Sequence, residues 1–437
     1  MRLIRLLKND LVDEIQAWVG DGIISTAQAE RIASRYGVDY HDRARHSIGY
    51  QLVLVLGYLF IGLAIITLVG ANWDEIPRSI RMGGLITLTL GVNLFGWFSY
   101  RRGREQAAVG AFFLGSLCYG ASIMLIAQIY HLGEHFPDGI YWWSVGVLPI
   151  ALLLESRLLM VLAFALGTLW FWVEAQMHYY PASYPLLLLA LAWSVLFRKQ
   201  SELLFLGLLF GTVLWVEFNL GWWLGEGQGF RFGAAHLTLS AGLLAVGCCL
   251  ASLLTYSHRY WWTDYGTLMR VWVVRLGVLL LLALSFEDLW REYLEKAREE
   301  PATHFAIAGI CFGVSAAAHL ASRGRWGGGL WFSVIYLLLF TTPLLGAIAG
   351  DAKLYQVAAN LLLIGSGVLL IRRGIAEGRS HDFYLGVSVI LTTGLLRYID
   401  LIGDYVGAAI LFAVFAAILL GSARYWRIKH PVGDRPK

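Results

Sequence analysis

The chain of 437 residues is 58% hydrophobic and only 15% charged, whereas soluble domains carry about a quarter charged residues, so water is not its main solvent. Its net charge of +4 is too small and too scattered for a nucleic-acid-binding protein, which needs Lys and Arg gathered on one face. The cysteines lie in apolar runs without CxxC or Cys/His spacing, so no disulfide, metal or other cofactor is expected; they are Cys118, Cys248, Cys249 and Cys311.

The first 48 residues predict a small cytoplasmic helical hairpin. They are polar and amphipathic rather than a secretory signal, so we expect this segment to be retained. Leu11, Ile15 and Trp18 share one face of a helix near 8–19, and Gly20 and Gly22 end that helix. Ser25 and Gln28 match a capping box that opens a second helix. A hairpin this small has little core of its own and is expected to bind the membrane or a cytoplasmic protein partner.

Residues 49–422 predict an all-α, polytopic transmembrane bundle of about 14 spans, because about 20 apolar residues cross a bilayer as a helix. The segments 140–155 and 182–197 are short, and the second contains Pro185, so each either spans or re-enters the membrane. The predicted spans are 49–70, 80–99, 106–130, 140–155, 157–177, 182–197, 202–221, 234–256, 271–287, 304–321, 328–348, 353–371, 383–399 and 405–422.

The distribution of basic residues predicts the orientation of these spans. Lys and Arg accumulate in the short loops on the cytoplasmic side, and here they fall in alternate loops, as at 101–104 and 372–373, while the loops 131–139 and 178–183 have none. An even number of spans with both termini in the cytoplasm fits this pattern. The tail 423–437 is basic and would lie against anionic lipid.

Two carboxylates and their neighbours are the candidate site. Glu174 and Glu217 each follow a Trp-Val pair near the predicted external end of a span, and ionisable groups at membrane depth are functional candidates by default. Gln128, His131 and His236 lie toward the same side. Together they predict an external layer that accepts a proton, binds a cation or holds a sugar hydroxyl, with Trp faces for stacking.

A purely structural interpretation of this layer stays open. Trp and Tyr are enriched at both membrane interfaces, and a Glu near the end of a span can extend its carboxylate to water. Arg397 and Asp400, three residues apart on one helix face, are interpreted as a structural ion pair rather than as part of a site.

Two further features predict packing. Gly309 and Gly313 form a small-residue stripe that allows close approach of another helix, and packing inside the monomer is favoured over dimerisation. The segment 287–304 contains both acidic and basic residues and predicts a solvated external helix over the bundle.

The sequence favours a protein without enzymatic activity over an enzyme. Asp74 and Glu75 in the first external loop form an acidic pair of the kind that membrane enzymes acting on lipid-linked sugars place there, but the loop is short. The chain has no GxxxxGK[ST], HExxH, GxSxG or strand-linked GxGxxG motif, so ATP-driven transport by this chain alone is not expected.

The N-terminal part resembles a known family. The resemblance rests on the Trp18 to Gln28 segment, Asn72-Trp73, Ala127 to His131 and Trp142-Trp143, and covers roughly residues 5–155. These features are similar to the bacterial predicted-membrane family called domain of unknown function 2157. The resemblance implies a prokaryotic inner-membrane protein with a short cytoplasmic N-terminal region, and it implies no catalytic residues.

Three functions follow from these patterns. Transport or flipping of a small polar or lipid-linked solute is the leading hypothesis, because it uses both the carboxylates and the aromatic layer. A sensor or assembly protein that binds a cytoplasmic partner through residues 1–48 is the first alternative. A membrane enzyme acting on a lipid-linked sugar, dependent on Asp74 or Glu75, is the second.

Overall fold

The fold was analysed in a computed structural model of the full chain. The structure describes residues 15–16, 18–35, 48–71, 77–131, 135–256, 260–322, 329–345 and 351–401, together with six residues between 413 and 424. Every regular element in these ranges is helical, which confirms the all-α prediction for the described part of the chain. The predicted last span 405–422, the loop with Asp74 and Glu75, and most of the first hairpin helix lie outside the described residues.

The helices divide between two compact units, 1–173 and 174–437, with the boundary in the last turn of α6. In the first unit they are α1 (Thr26–Arg35), α2 (Ile48–Ala71), α3 (Arg78–Arg101), α4 (Glu105–Tyr130), α5 (Pro137–Leu153) and α6 (Arg157–Gln176). In the second they are α7 (Tyr184–Trp193, extended by a π-helical turn Ser194–Arg198), α8 (Glu202–Leu224), α9 (Ala235–Thr255), α10 (Tyr260–Ala283), α11 (Glu287–Glu299), α12 (Pro301–Ala321), α13 (Gly329–Thr341, followed by a 3-10 turn Thr342–Leu345), α14 (Ala352–Glu377) and α15 (Ser380–Leu401).

Eight of these helices, α3, α4, α6, α8, α9, α10, α12 and α14, are long and apolar enough to cross a membrane. Three shorter apolar stretches, Leu52–Ala64, Tyr184–Arg198 and Trp331–Leu344, accompany them. The predicted bundle of apolar helices is therefore confirmed, with eight candidate spans among the described residues. The predicted count of about 14 spans is not confirmed. The doubtful segment 140–155 is the 17-residue α5, about 25 Å long at 1.5 Å per residue. Pro185 lies in the first turn of α7, where proline is tolerated because no backbone N–H is needed.

The second hairpin helix forms as its capping box predicts. The Ser25 backbone N–H donates to Gln28 Oε1 over 2.8 Å, and the Gln28 N–H donates to Ser25 Oγ over 3.3 Å. Ala29 and Ala33 of the same helix are buried, as is Ile15 before it. Whether residues 1–48 form a separate domain stays a prediction.

Hydrogen bonds between uncharged groups connect the helices of unit 1 to one another. The Thr89 and Ser122 hydroxyls lie 3.0 Å apart between α3 and α4. The Trp143 indole N–H donates to the Ser116 carbonyl over 2.8 Å, and the buried Ser144 hydroxyl donates to the Ala163 carbonyl over 2.9 Å. These bonds satisfy polar atoms that lipid cannot satisfy.

Unit 2 is arranged around α9, which packs against α8, α10, α12 and α13. Helix α11 inserts one face into this core: Trp290 and Ala297 are fully buried and Tyr293 is 2% exposed. The opposite face carries charges, as in the Arg291–Glu287 ion pair of 2.7 Å. The prediction of a solvated helix is therefore correct for one face of α11 and wrong for the other.

The predicted start of one span in unit 2 is wrong. The predicted span 271–287 begins earlier, because α10 starts at Tyr260. Its polar first turns find distant partners: Gln200 Nε2 donates to Asp264 over 3.1 Å, and the Tyr265 hydroxyl, which accepts from the Ser201 N–H over 2.9 Å, is buried. The distant partners offset the cost of placing polar groups in an apolar helix.

The favoured packing of the α12 glycine stripe inside the monomer is not seen among the described residues. In the described part of the chain, nothing lies within 4 Å of a Cβ built on Gly309 or Gly313. Close helix packing uses other glycines: a Cβ on Gly386 of α15 would lie 2.5 Å from the Gly367 carbonyl oxygen of α14. Among the described residues of this unit, helices thus approach closely at glycine, but at Gly386 rather than at Gly309 or Gly313.

Candidate functional site

The site is built on Glu217, in the second half of α8. This helix starts at a proper N-cap, where Ser201 Oγ accepts from the Leu204 N–H, and its apolar residues continue to Trp223. Glu217 therefore stands in a hydrophobic helix with its side chain 20% exposed. A carboxylate so placed needs hydrogen-bond partners, because an unpaired buried charge is very costly.

His236, in the first turn of α9, is the main partner. Its Nδ1 lies 2.7 Å from Glu217 Oε2, and its Nε2 lies 3.3 Å from the Arg231 carbonyl oxygen. The imidazole is almost fully enclosed, with 4% of its side chain exposed. The second carboxylate oxygen, Oε1, accepts a hydrogen bond of 2.7 Å from the Ser240 hydroxyl, one turn further along α9.

Both ring nitrogens of His236 face hydrogen-bond acceptors. A carbonyl oxygen only accepts, and so does a carboxylate, so each contact is satisfied by a proton on the nitrogen that faces it. A proton on Nδ1 makes the shorter contact, to Glu217, and a proton on Nε2 makes the longer one, to Arg231. The pair is therefore a place where a proton can be held between a carboxyl and an imidazole group.

Aromatic rings cover this pair. The Phe232 ring stacks on the His236 imidazole, with ring centroids 4.9 Å apart and planes within 5°, and Phe230 lies 5.4 Å from it. Phe230 also stacks on Phe218 at 6.2 Å. The rings exclude water from the imidazole, which strengthens its interaction with Glu217.

The covering loop between α8 and α9 folds back on α8. The Arg231 N–H donates to the Gly221 carbonyl over 2.9 Å. Gly229 has a φ of +146°, and a Cβ there would lie 2.8 Å from the His178 ring, so the backbone passes where only glycine fits. The loop is thus held in place by backbone contacts, and it brings the Phe230 and Phe232 side chains onto the pair.

A second polar cluster lies on another face of α9. The Thr238 hydroxyl is 2.7 Å from His304 Nδ1 and 3.0 Å from the Tyr293 hydroxyl, and all three residues are buried. Burial raises the pKa of Tyr293, in the amphipathic helix α11, to about 12. Further along α9, the Cys311 sulfur and the Tyr336 hydroxyl both approach Gly242. Helix α9 therefore carries polar contacts on two of its faces.

The predicted site residues are only partly brought together. The structure joins His236 to Glu217, whereas Glu174 is buried at the end of α6 and is not among the hydrogen-bond donors and acceptors that hold Glu217. Gln128 and His131 end α4 in the other unit, and both are exposed. The guanidinium of Arg397 lies 5.5 Å from the centre of the Phe286 ring, and its ion pair with Asp400 stays a prediction because the Asp400 side chain lies outside the described residues.

Sequence reasoning missed the hydroxyl and histidine partners. Ser240, Thr238, Tyr293 and His304 were not singled out, because Ser and Thr are common in apolar helices and close hydrogen bonds to their own backbone. One signal was present: His304 is an ionisable residue at the start of a predicted span. No three His, Cys, Asp or Glu side chains of the described chain gather as metal ligands.

The comparisons with known proteins bear on unit 1. Residues 16–160 match the family described as predicted membrane protein (DUF2157). The match confirms the resemblance seen in the sequence and covers less than half of the chain. No curated protein and no solved structure matches the chain. Together with the eight apolar helices, the match makes this a membrane protein in contact with the lipid bilayer. The cluster around Glu217 lies outside the matched residues.

Proposed function

We propose that the protein transports or flips a small polar solute across the membrane, with Glu217, His236 and Ser240 as its proton-binding centre. The observation that carries the proposal is the 2.7 Å contact between Glu217 and His236 in the bundle of unit 2. An anchor or a scaffold gains nothing from an ionisable pair inside apolar helices, because uncharged residues would be cheaper there. A transporter uses such a pair, because binding or losing a proton changes which contacts are favourable.

The polar contacts along α9 support this function. His236 and Ser240 face α8, while Thr238 contacts α11 and α12 through Tyr293 and His304. A change of protonation at His236 therefore acts on the helix that also contacts α12. Helix α9 is therefore the element through which a proton at the Glu217 centre would act on its neighbours.

The placement in the membrane is part of the same proposal. We place the chain in a bacterial inner membrane with about 14 spans and both termini in the cytoplasm, because the basic residues lie in alternate loops. The loop 225–234 is then external, and Glu217 and His236 lie near the external ends of α8 and α9. Access to the pair from the opposite side distinguishes a transporter from a receptor.

The test measures access to the pair from each side of the membrane. Ser240→Cys keeps the size of the residue that touches Glu217, and it is introduced after replacement of the four native cysteines by alanine. An impermeant thiol reagent is applied to right-side-out and to inverted vesicles. We expect labelling from both sides, with the ratio between sides altered by Glu217→Gln, because the loss of the carboxylate shifts the balance of states.

Two matched positions control the labelling. Gln228→Cys, in the exposed loop after α8, is expected to react from one side only. Ser144→Cys, fully buried in unit 1, is expected not to react. Labelling of Ser240→Cys from one side alone, unchanged by Glu217→Gln, would reject transport through this centre.

A further inference from the structure

An open groove of about 390 Å³ lies at the end of α8, beyond Glu217 and within unit 2. Aromatic, amide and carboxylate side chains form its walls. The lining residues are Tyr180, Asn219, Trp222, Trp223, Glu226 and Gly227. The cluster around Glu217 contributes none of them, so the groove is a second feature of the same helix end.

The aromatic walls are braced from behind. The Tyr180 and Trp222 rings lie 5.5 Å apart, and Phe218 packs against both, at 6.2 Å and 5.8 Å. Rings fixed by other rings lose little entropy when a ligand binds. The groove therefore offers preformed π-faces to a solute.

The amide of the groove makes two hydrogen bonds inside the protein. Asn219 Oδ1 accepts from the Tyr180 hydroxyl over 2.7 Å, and Asn219 Nδ2 donates to the Trp215 carbonyl over 2.7 Å. A sugar needs several side-chain donors and acceptors to orient its hydroxyls. With the Tyr180 proton and one Asn219 N–H engaged, the aromatic faces and the Glu226 carboxylate are the main attractions that the groove offers to a solute.

A carboxylate stands at the rim. Glu226 has a φ of +54° and is followed by Gly227 at +76°. A left-handed backbone is costly for a residue other than Gly, Asn or Asp, and such strain is retained where the position of a side chain matters. The Glu226 side chain is exposed, and it forms no ion pair within the described part of the chain.

We propose that this groove binds a small organic cation, with an ammonium group against the Tyr180 and Trp222 faces and near the Glu226 carboxylate. A cation is attracted to aromatic faces and to a carboxylate, and it needs no hydrogen-bond donors from the protein. The inference rests on the proposed function in that it names the class of solute delivered to the Glu217 centre. Binding itself does not require transport.

The experiment measures binding of choline to the purified full-length protein by saturation-transfer NMR. The comparison ligand is 3,3-dimethyl-1-butanol, which has the same shape with carbon in place of the charged nitrogen. We expect choline to bind saturably and the alcohol to bind at least about tenfold more weakly. Equal binding of the two ligands would overturn the inference, and so would displacement of choline by methyl glucoside.

Variants test which groups recognise the cation. Glu226→Gln and Trp222→Leu are each expected to weaken choline binding by about five- to tenfold. Tyr180→Phe keeps the ring and loses only the bond to Asn219, so it should bind choline as the wild type does, whereas a sugar site would be impaired. Trp193→Leu removes an exposed Trp of α7 outside the groove and should have no effect. Unchanged binding in both Glu226→Gln and Trp222→Leu would overturn the assignment.

Two further experiments make two distinctions. The first distinguishes a free solute from a lipid headgroup, and the second distinguishes the failure of the groove proposal from the failure of the transport proposal. We expect choline affinity to be the same in nanodiscs of phosphatidylethanolamine and of phosphatidylglycerol; weaker binding in the first would assign the groove to lipid amines instead. Choline binding with one-sided labelling of Ser240→Cys would reject transport and keep the groove. Two-sided labelling without choline binding would keep transport and reject the groove.

Discussion

The two units bury polar groups in different ways. In the described part of unit 1, several buried hydrogen bonds join neutral groups, such as the Ser144 hydroxyl and the Ala163 carbonyl. In unit 2 they include a carboxylate, two imidazoles and a phenol, in the contacts of Glu217, His236, His304 and Tyr293. Hydroxyl and carbonyl groups carry no charge at physiological pH, whereas carboxyl and imidazole groups are of the kinds that can gain or lose a proton. The Tyr293 phenol loses its proton only at high pH.

The difference between the units coincides with the extent of the family match. The matched residues 16–160 lie inside unit 1, and the titratable clusters lie in unit 2. Unit 1 therefore holds the residues that match a family of predicted membrane proteins. The chemistry that we propose resides in the part of the chain that the family does not cover.

The first and largest prediction concerns the pair itself. His236→Leu removes one partner and leaves the Glu217 carboxylate with Ser240 alone, so we expect a loss of about 3 kcal/mol in the free energy of unfolding. The double variant Glu217→Leu with His236→Leu should recover most of that loss, because no unpaired charge remains. Thermal unfolding in detergent at pH 7 measures both.

Unit 1 supplies the comparison for this experiment. Ser144→Ala leaves the Ala163 carbonyl without its hydroxyl and should cost only about 1 kcal/mol. Equal losses in Ser144→Ala and His236→Leu would mean that the Glu217 pair is an ordinary buried hydrogen bond. The contrast between the units would then disappear.

The second prediction asks whether packing distinguishes the units as well. Gly120 in unit 1 and Gly386 in unit 2 both sit against a neighbouring helix: a Cβ would lie 2.1 Å from the Trp143 ring and 2.5 Å from the Gly367 carbonyl oxygen, respectively. Alanine at either position should cost about 2 kcal/mol, because neither neighbour can move away freely. Thermal unfolding of the two variants should therefore agree.

Gly309→Ala is the matched control. No atom of the described residues lies within 4 Å of a Cβ built there, so alanine should stabilise α12 by about 0.5 kcal/mol through its better helix propensity. Destabilisation by Gly309→Ala together with a change in oligomeric state would show that a second copy covers this stripe. A small cost at Gly120 and a large one at Gly386 would mean that only unit 2 depends on close packing.

Local sequence patterns predicted the helices better than their partners. The capping box of Ser25 and Gln28 and the extent of most helices depend on residues within a few turns, so the sequence was sufficient. The predicted start of α10 was wrong because a carboxylate such as Asp264 is rare inside a membrane span. Its partner, Gln200, is 64 residues away, and no local pattern contains that contact.

The same limit explains what was predicted of the site. Glu217 and His236 were selected by residue type, since ionisable groups in apolar helices are rare. Their contact was not predicted, because it depends on the loop between α8 and α9 folding back through Gly229. Gln128 and His131 were grouped with them only by predicted depth in the membrane, which does not determine whether side chains meet.

The smallest expected effect tests the second cluster. In the folded protein the pKa of Tyr293 is about 12, above the ordinary value of 10.0, because the phenol is buried. The unfolded chain therefore loses this proton first, so stability is fully present below pH 10 and falls as the pH rises from 10 to 12. At pH 11 the loss of stability due to Tyr293 is about 1 kcal/mol.

The variant Tyr293→Phe tests this linkage. It should cost about 1 kcal/mol in the free energy of unfolding at pH 7, because it removes the hydrogen bonds to Thr238 and His304. Between pH 10 and 12 the variant should then lose less stability than the wild type. Thr238→Val keeps the phenol and should keep the alkaline loss. Parallel alkaline curves for the wild type and Tyr293→Phe would show that the Tyr293 phenol ionises as easily in the folded protein as in the unfolded chain, and the contrast between the units would then rest on the Glu217 pair alone.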